Sequence, residues 1–150
     1  MKYSLLAIVF AFLVSCSSGS EKDYSVISEK QISEYIKTNK LEAIRSESGL
    51  YYVVDEAGEG EKPTSASTVQ VAYKGYYLNG EVFDESSDRG ISFPLKRVIK
   101  GWTEGITYYK EGGKGTLLVP AHLGYGNYDT NGIPGGSVLL FDIHLIAVKE

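Results

Sequence analysis

From Gly49 onward the chain is a succession of short apolar runs punctuated by glycine. That punctuation constrains the fold more than any other feature. Runs of this kind, mostly about 4–8 residues long, are ordinary strands. The pattern predicts strands over 50–54, 68–77, 81–84, 91–95, 113–119 and 137–148. Asn79-Gly80 between two of these runs is the strongest short-range hairpin signal available. Only one stretch in this part has helical spacing, Val98, Ile99, Trp102 and Ile106, which predicts a helix over 98–109. One amphipathic helix against a curved, mostly antiparallel sheet makes an α+β domain over 49–150.

The first 48 residues read differently. Met1-Lys2 gives a positive start, and Leu5 to Val14 is an uncharged apolar run, much shorter than the roughly 20 residues that span a bilayer. It has the size of a signal-peptide core. It ends in Leu13-Val14-Ser15-Cys16, which resembles the lipobox of bacterial lipoproteins, whose cysteine becomes the lipidated first residue of the mature chain. An ordinary secretory signal with a chance cysteine is the alternative. The expected organisation is a lipoprotein signal peptide over 1–15, then lipidated Cys16 with a flexible tether and short helix over 16–48. Ser17 to Asp23 is polar and reads as the spacer. Ser28-Glu29-Lys30-Gln31 has capping-box spacing, with Ile27 and Ile32 placed as a staple, so the helix is predicted over 28–39.

Composition excludes several kinds of function. A net charge of −4 leaves no excess of Lys or Arg for nucleic-acid phosphates, nor a basic face for anionic lipid, so any membrane attachment falls to the lipid itself. The single cysteine rules out an internal disulfide framework and a Cys-rich zinc site. His122 and His144 lack neighbouring ligands at metal-binding spacing, so no metal and no cofactor is expected. The glycines of Gly124-Tyr125-Gly126 and Gly132-Ile133-Pro134-Gly135-Gly136 are followed by no Gly-Lys-Ser/Thr and read as turns. No serine sits in a nucleophile elbow, which leaves covalent catalysis without a candidate.

What remains is a set of aromatics around a few polar groups: Tyr73, Phe83-Asp84, Arg89, Phe93, Val98-Ile99, Trp102, Tyr125 and Phe141. Aromatics favour strands, so these could simply be the core of a twisted sheet. Asp84 does not suit that reading, because a carboxylate entering a core needs a partner, which Tyr73 or Arg89 could supply.

In order along the chain, Val71-Ala72-Tyr73-Lys74-Gly75, Phe83-Asp84, Val98-Ile99-Lys100-Gly101-Trp102-Thr103-Glu104-Gly105, Tyr125-Gly126, Ile133-Pro134 and Leu140-Phe141-Asp142-Ile143 resemble the FKBP-type peptidyl-prolyl cis-trans isomerases over roughly 49–149. The resemblance implies an FKBP-like antiparallel half-barrel wrapped around one short helix, here preceded by an N-terminal tether helix. It implies a pocket with Trp102 as floor and Tyr73, Phe83, Val98, Ile99 and Phe141 as walls. Asp84 would sit at the rim, oriented by Tyr73 and Arg89. Tyr125 and the Ile99 N–H would bind substrate carbonyls, and Ile133 would lie on an overhanging loop. Tyr73, Asp84 and Tyr125 would be the catalytic residues, with the others binding substrate. Where many relatives carry a second aromatic just before Phe93, this chain has Ile91, and the loop after Tyr125 is one residue shorter, which puts macrolide binding and substrate preference outside the carry-over.

The expected function is therefore isomerisation of X-Pro bonds in exported or envelope proteins, with proline-containing polypeptides as partners. The expected location is the bacterial cell envelope, on a lipid anchor at the periplasmic face of the outer membrane. The alternative is a non-catalytic chaperone or binding lipoprotein of an envelope apparatus such as a gliding or secretion machine. With no coiled-coil heptads the expected state is a monomer.

Overall fold

The computed structural model describes residues 22–149; the expected signal peptide over 1–15 and Cys16 lie outside the described residues. In chain order the elements are α1 (Tyr24–Asn39), β1 (Ile44–Arg45), β2 (Tyr51–Glu56), β3 (Thr68–Tyr76), β4 (Val82–Glu85), β5 (Ile91–Pro94), α2 (Lys100–Gly105), β6 (Lys114–Val119) and β7 (Leu139–Lys149). The strands form one antiparallel sheet in the order β1-β2-β6-β7-β3-β4, and β5 also pairs with β3. No helix among the described residues is long and apolar enough to cross a membrane.

Residue alternation gives this sheet two working faces. Leu117 and Val119 of β6, with Leu139, Phe141, Ile143 and Leu145 of β7, face the core shared with Trp102 and Ile106. Leu118 and Leu140 point the other way, into a second cluster with Val53, Val138 and Ile32 of α1. Helix α1 thus covers the face of the sheet opposite α2, and its Ile32 is fully buried.

That helix begins a turn earlier than the predicted 28–39. Asp23 caps it, its carboxylate accepting from the Ser25 N–H at 3.1 Å, and the end at Asn39 falls as expected. Ser28 is no cap. It is fully buried inside the helix, and its hydroxyl accepts from the Ala121 N–H at 3.3 Å. The staple does not form either, since Ile27 is 40% exposed while Ile32 is buried. A cap at Asp23 places Ser28 on the inward face, where its hydroxyl meets an otherwise unpaired backbone donor.

Helix α2 is shorter than the predicted 98–109: six α-helical residues run into a 3-10 turn at Ile106–Tyr108. Gly101 and Gly105 let it lie hard against β6, where added Cβ atoms would come within 2.6 Å of Val119 and 2.7 Å of Leu117. The same glycines weaken the helix itself. Tyr109, fully buried just beyond, fixes its end by donating to the Val53 carbonyl at 2.7 Å.

The Asn79-Gly80 turn forms as read. Gly80 adopts φ +88° and donates to the Tyr77 carbonyl, returning the chain as β4 against the end of β3. Beyond β4 the chain crosses over and pairs again as β5 with the start of β3. The edge of β3 is therefore shared between two short strands.

Candidate active site

Between α2 and the strands β3, β4, β5 and β7 lies a cavity of about 330 Å³. Trp102, 6% exposed, sits at its base because it is the one large side chain of α2 aimed at the concave face. Rings surround it. Tyr73 and Phe141 meet the indole edge-on, at centroid distances of 4.9 and 5.1 Å, and Phe93 tilts against it at 5.2 Å. Phe83 stands edge-on to Phe141 at 5.6 Å and leans on Tyr77. Such contacts add about 0.5–1.5 kcal/mol per pair beyond area burial, so these walls hold their shape without a ligand.

Close approach of Phe83 and Phe141 depends on Gly75 in β3. A Cβ there would come within 2.7 Å of Phe83 and 2.9 Å of Phe141. Val98 and Ile99, from the extended stretch before α2, and Ile91, at the start of β5, complete the apolar lining.

Polar groups gather at the mouth. The Tyr73 hydroxyl donates to Asp84 Oδ2 at 2.6 Å, and Asp84 itself is exposed at the rim. Burial, reinforced by the bond to Asp84, holds the Tyr73 hydroxyl well above the ordinary tyrosine range. Burial and the charge of Asp84 also push Tyr125 upward. Both phenols remain proton donors at neutral pH. Among the described residues neither the Tyr125 hydroxyl nor the Ile99 N–H has a hydrogen-bond acceptor in the protein, although both border the cavity. The indole Nε1 of Trp102 is likewise unpaired and is buried. No group of three or more potential metal ligands occurs among the described residues.

Ten of the twelve residues expected at the site line this cavity: Tyr73, Phe83, Asp84, Ile91, Phe93, Val98, Ile99, Trp102, Tyr125 and Phe141. Arg89 does not. It makes no ion pair with Asp84 among the described residues, and its carbonyl accepts from Gln70 Nε2 at 2.7 Å in the crossover before β5. Among the described residues the side-chain partner of the carboxylate is Tyr73. Ile133 is not on the cavity lining either: it is 7% exposed and packs in the core cluster that also holds Trp102 and Phe141. Arg97, which sequence reasoning passed over, stands on the lining instead. The signal for it was the basic run Lys96-Arg97 immediately before Val98.

The site is thus an aromatic well with a buried indole floor and hydroxyl and amide donors among the residues at its mouth. Comparison with known proteins is specific. Residues 59–146 match the model of the FKBP-type peptidyl-prolyl cis-trans isomerase domain, and the chain belongs to that family. It is 49% identical over 106 residues to the FKBP-type isomerase FkpA of Escherichia coli K12, covering 69% of this chain and 39% of that protein. With FkpA of Aeromonas hydrophila it shares 41% identity over 135 residues, 87% of this chain and half of the relative. The crystal structure of Escherichia coli FkpA superposes with a TM-score of 0.75 at 43% identity, covering 86% of this chain and 62% of that one. A peptidyl-prolyl isomerase from Pseudomonas syringae gives 0.72 at 28% identity over 84% of this chain and 96% of that one. The chain thus spans half or less of the length of these FkpA sequences.

Proposed function

We propose that this protein is an active prolyl isomerase working on extended or unfolded polypeptides in a bacterial cell envelope, held there by lipid on Cys16. The observation that carries the catalytic reading is the rigid aromatic well bordered by two unpartnered donors, the Tyr125 hydroxyl and the Ile99 N–H. Rotation about an X-Pro bond must overcome about 18–20 kcal/mol as amide resonance is lost, yet no bond is made or broken. A nucleophile is unnecessary. The proline ring seats over Trp102, and the rings already packed around it keep water from the amide. The twisted amide is less charge-separated than the planar one, so a dry apolar site favours it over the ground state. Donors at the mouth hold the flanking carbonyls while the bond between them turns.

Several groups then have separate tasks. Trp102, Phe83, Phe93, Phe141, Val98, Ile99 and Ile91 bind; Tyr73, fixed by Asp84, and Tyr125 present polar atoms to the turning amide. Exchange spectroscopy on an X-Pro tetrapeptide tests this. The chain should accelerate isomerisation, and Trp102→Leu and Asp84→Ala should each lower kcat/KM by about tenfold. No acceleration by correctly folded protein would leave the non-catalytic binding lipoprotein as the better reading. The anchor is tested separately, since Cys16→Ser should release the protein from membranes into the soluble fraction.

A further inference from the structure

The aromatic well does not end at Val98. That residue also lines a larger open groove of about 890 Å³ running along α2, with Lys96, Lys100, Thr103, Thr64 and Glu104 among its walls. Val98 is thus a low partition between two adjoining depressions, and Arg97 stands on the well side of it. A proline seated over Trp102 belongs to a longer chain, and the groove is where a neighbouring part of that chain can lie.

The charge of this groove is opposite to that of the molecule. The protein carries a net charge of −4, yet Lys96, Arg97 and Lys100 cluster within five residues here and all three are exposed. The ion pairs among the described residues are Lys30–Glu34, Arg45–Glu29 and Lys114–Glu56, so none of the three cations is neutralised by a neighbour. The one carboxylate on the groove, Glu104, is already engaged. It accepts from the Ser48 hydroxyl at 2.5 Å and from the Tyr108 hydroxyl at 2.9 Å. Hydroxyls of Thr64, Ser65, Thr103 and Thr107 supply the rest of the polar lining.

We infer that Lys96 and Lys100, with Arg97 at the boundary, select proline segments that carry an acidic side chain close to the isomerised bond. This rests on the isomerase reading and adds a substrate class to it. Opposite charge on the substrate gains a screened attraction at each lysine and speeds encounter; a lysine at the same place is repelled. Two exposed cations together give a preference of roughly fivefold at low salt, about 1 kcal/mol at 1.4 kcal/mol per decade.

The test uses peptides with one X-Pro bond and Glu, Gln or Lys placed two residues to either side of it. Binding is read as Kd from the fluorescence of Trp102, the only tryptophan, and turnover as kcat/KM by exchange spectroscopy. In at least one placement Glu should bind about fivefold more tightly than Gln, with Lys weaker than both. That ratio should fall towards one in about 0.5 M NaCl. It should also fall towards one in the double variant Lys96→Gln/Lys100→Gln and survive in Lys96→Arg/Lys100→Arg. A Glu-to-Gln ratio near one in both placements overturns the inference, as does a preference that persists in the glutamine variant. Because Kd is read independently of turnover, binding without catalysis would defeat the isomerase reading while still deciding this one.

Discussion

Gly75→Ala tests whether the position of Phe83 controls the well. The added methyl would lie 2.7 Å from Phe83 Cζ and 2.9 Å from Phe141 Cε1, against an ordinary carbon contact of about 3.5–4.0 Å. Something must move by nearly an ångström. Phe141 is 4% exposed and wedged against Trp102, so the half-buried Phe83 swings outward and its edge-on contact with Phe141 is lost. Overpacking of this kind costs about 1–3 kcal/mol, and the displaced ring accounts for roughly half of it. Urea unfolding should show a loss of about 1.5 kcal/mol with an unchanged slope. The opened wall admits water to the amide, so kcat/KM should fall about tenfold. Gly80→Ala supplies the control. Its Cβ would meet nothing within 4 Å, while its φ of +88° imposes backbone strain of about 1 kcal/mol at a residue outside the well's lining. It should lose comparable stability and keep its activity. If Gly75→Ala keeps kcat/KM within twofold of the parent while losing stability, Phe83 is no wall of the working site.

Two further outcomes concern pH. Tyr73 and Tyr125 both have hydroxyls raised above the ordinary tyrosine value, so their neutral forms contribute stability that is fully present below about pH 10 and lost as pH rises through the higher folded values. Activity should be flat from about pH 6 to 9.5; a limb inside that range would indicate a proton-transfer step the site does not contain. At the other end, burial raises the carboxyl of Glu29, but hydrogen bonds from Tyr51 and Arg45 outweigh it and hold the group below its usual value. The stability it lends to docking of α1 is therefore present above about pH 4.5 and lost on acidification. The pair is exposed, so Glu29→Gln should lower the Tm by only about 2 °C at pH 7 and flatten the acid limb of the Tm profile.

Sequence patterning located the sheet and the floor of the site because both depend on local regularities. Strands at 68–76 and 114–119 alternate or run apolar over several residues, and Trp102 is the largest side chain on the one helical face within the domain. The misplaced features depend on contacts between distant segments. Ser28 looks like a cap until Ala121, 93 residues away, is seen to need its hydroxyl. Strand β1 escapes notice because two exposed residues, Ile44 and Arg45, carry no pattern and are held only by pairing with β2. Arg89 and Arg97 flank the same strand, and only the crossover before β5 decides which of them reaches the well.

The place of β7 in the sheet has a consequence for how the chain matures. It is hydrogen-bonded on one side to β6 and on the other to β3, some seventy residues earlier. During synthesis β3 and β6 emerge with open edges and no partner between them until residues 139–149 follow. Phe141, a wall of the well, arrives on that same strand. Loop-closure entropy is thus met late and all at once, which makes folding slow to begin and cooperative when it comes. A nascent chain of this kind keeps the edges of β3 and β6 open until β7 emerges, and its aromatic well is completed only in the step that closes the sheet.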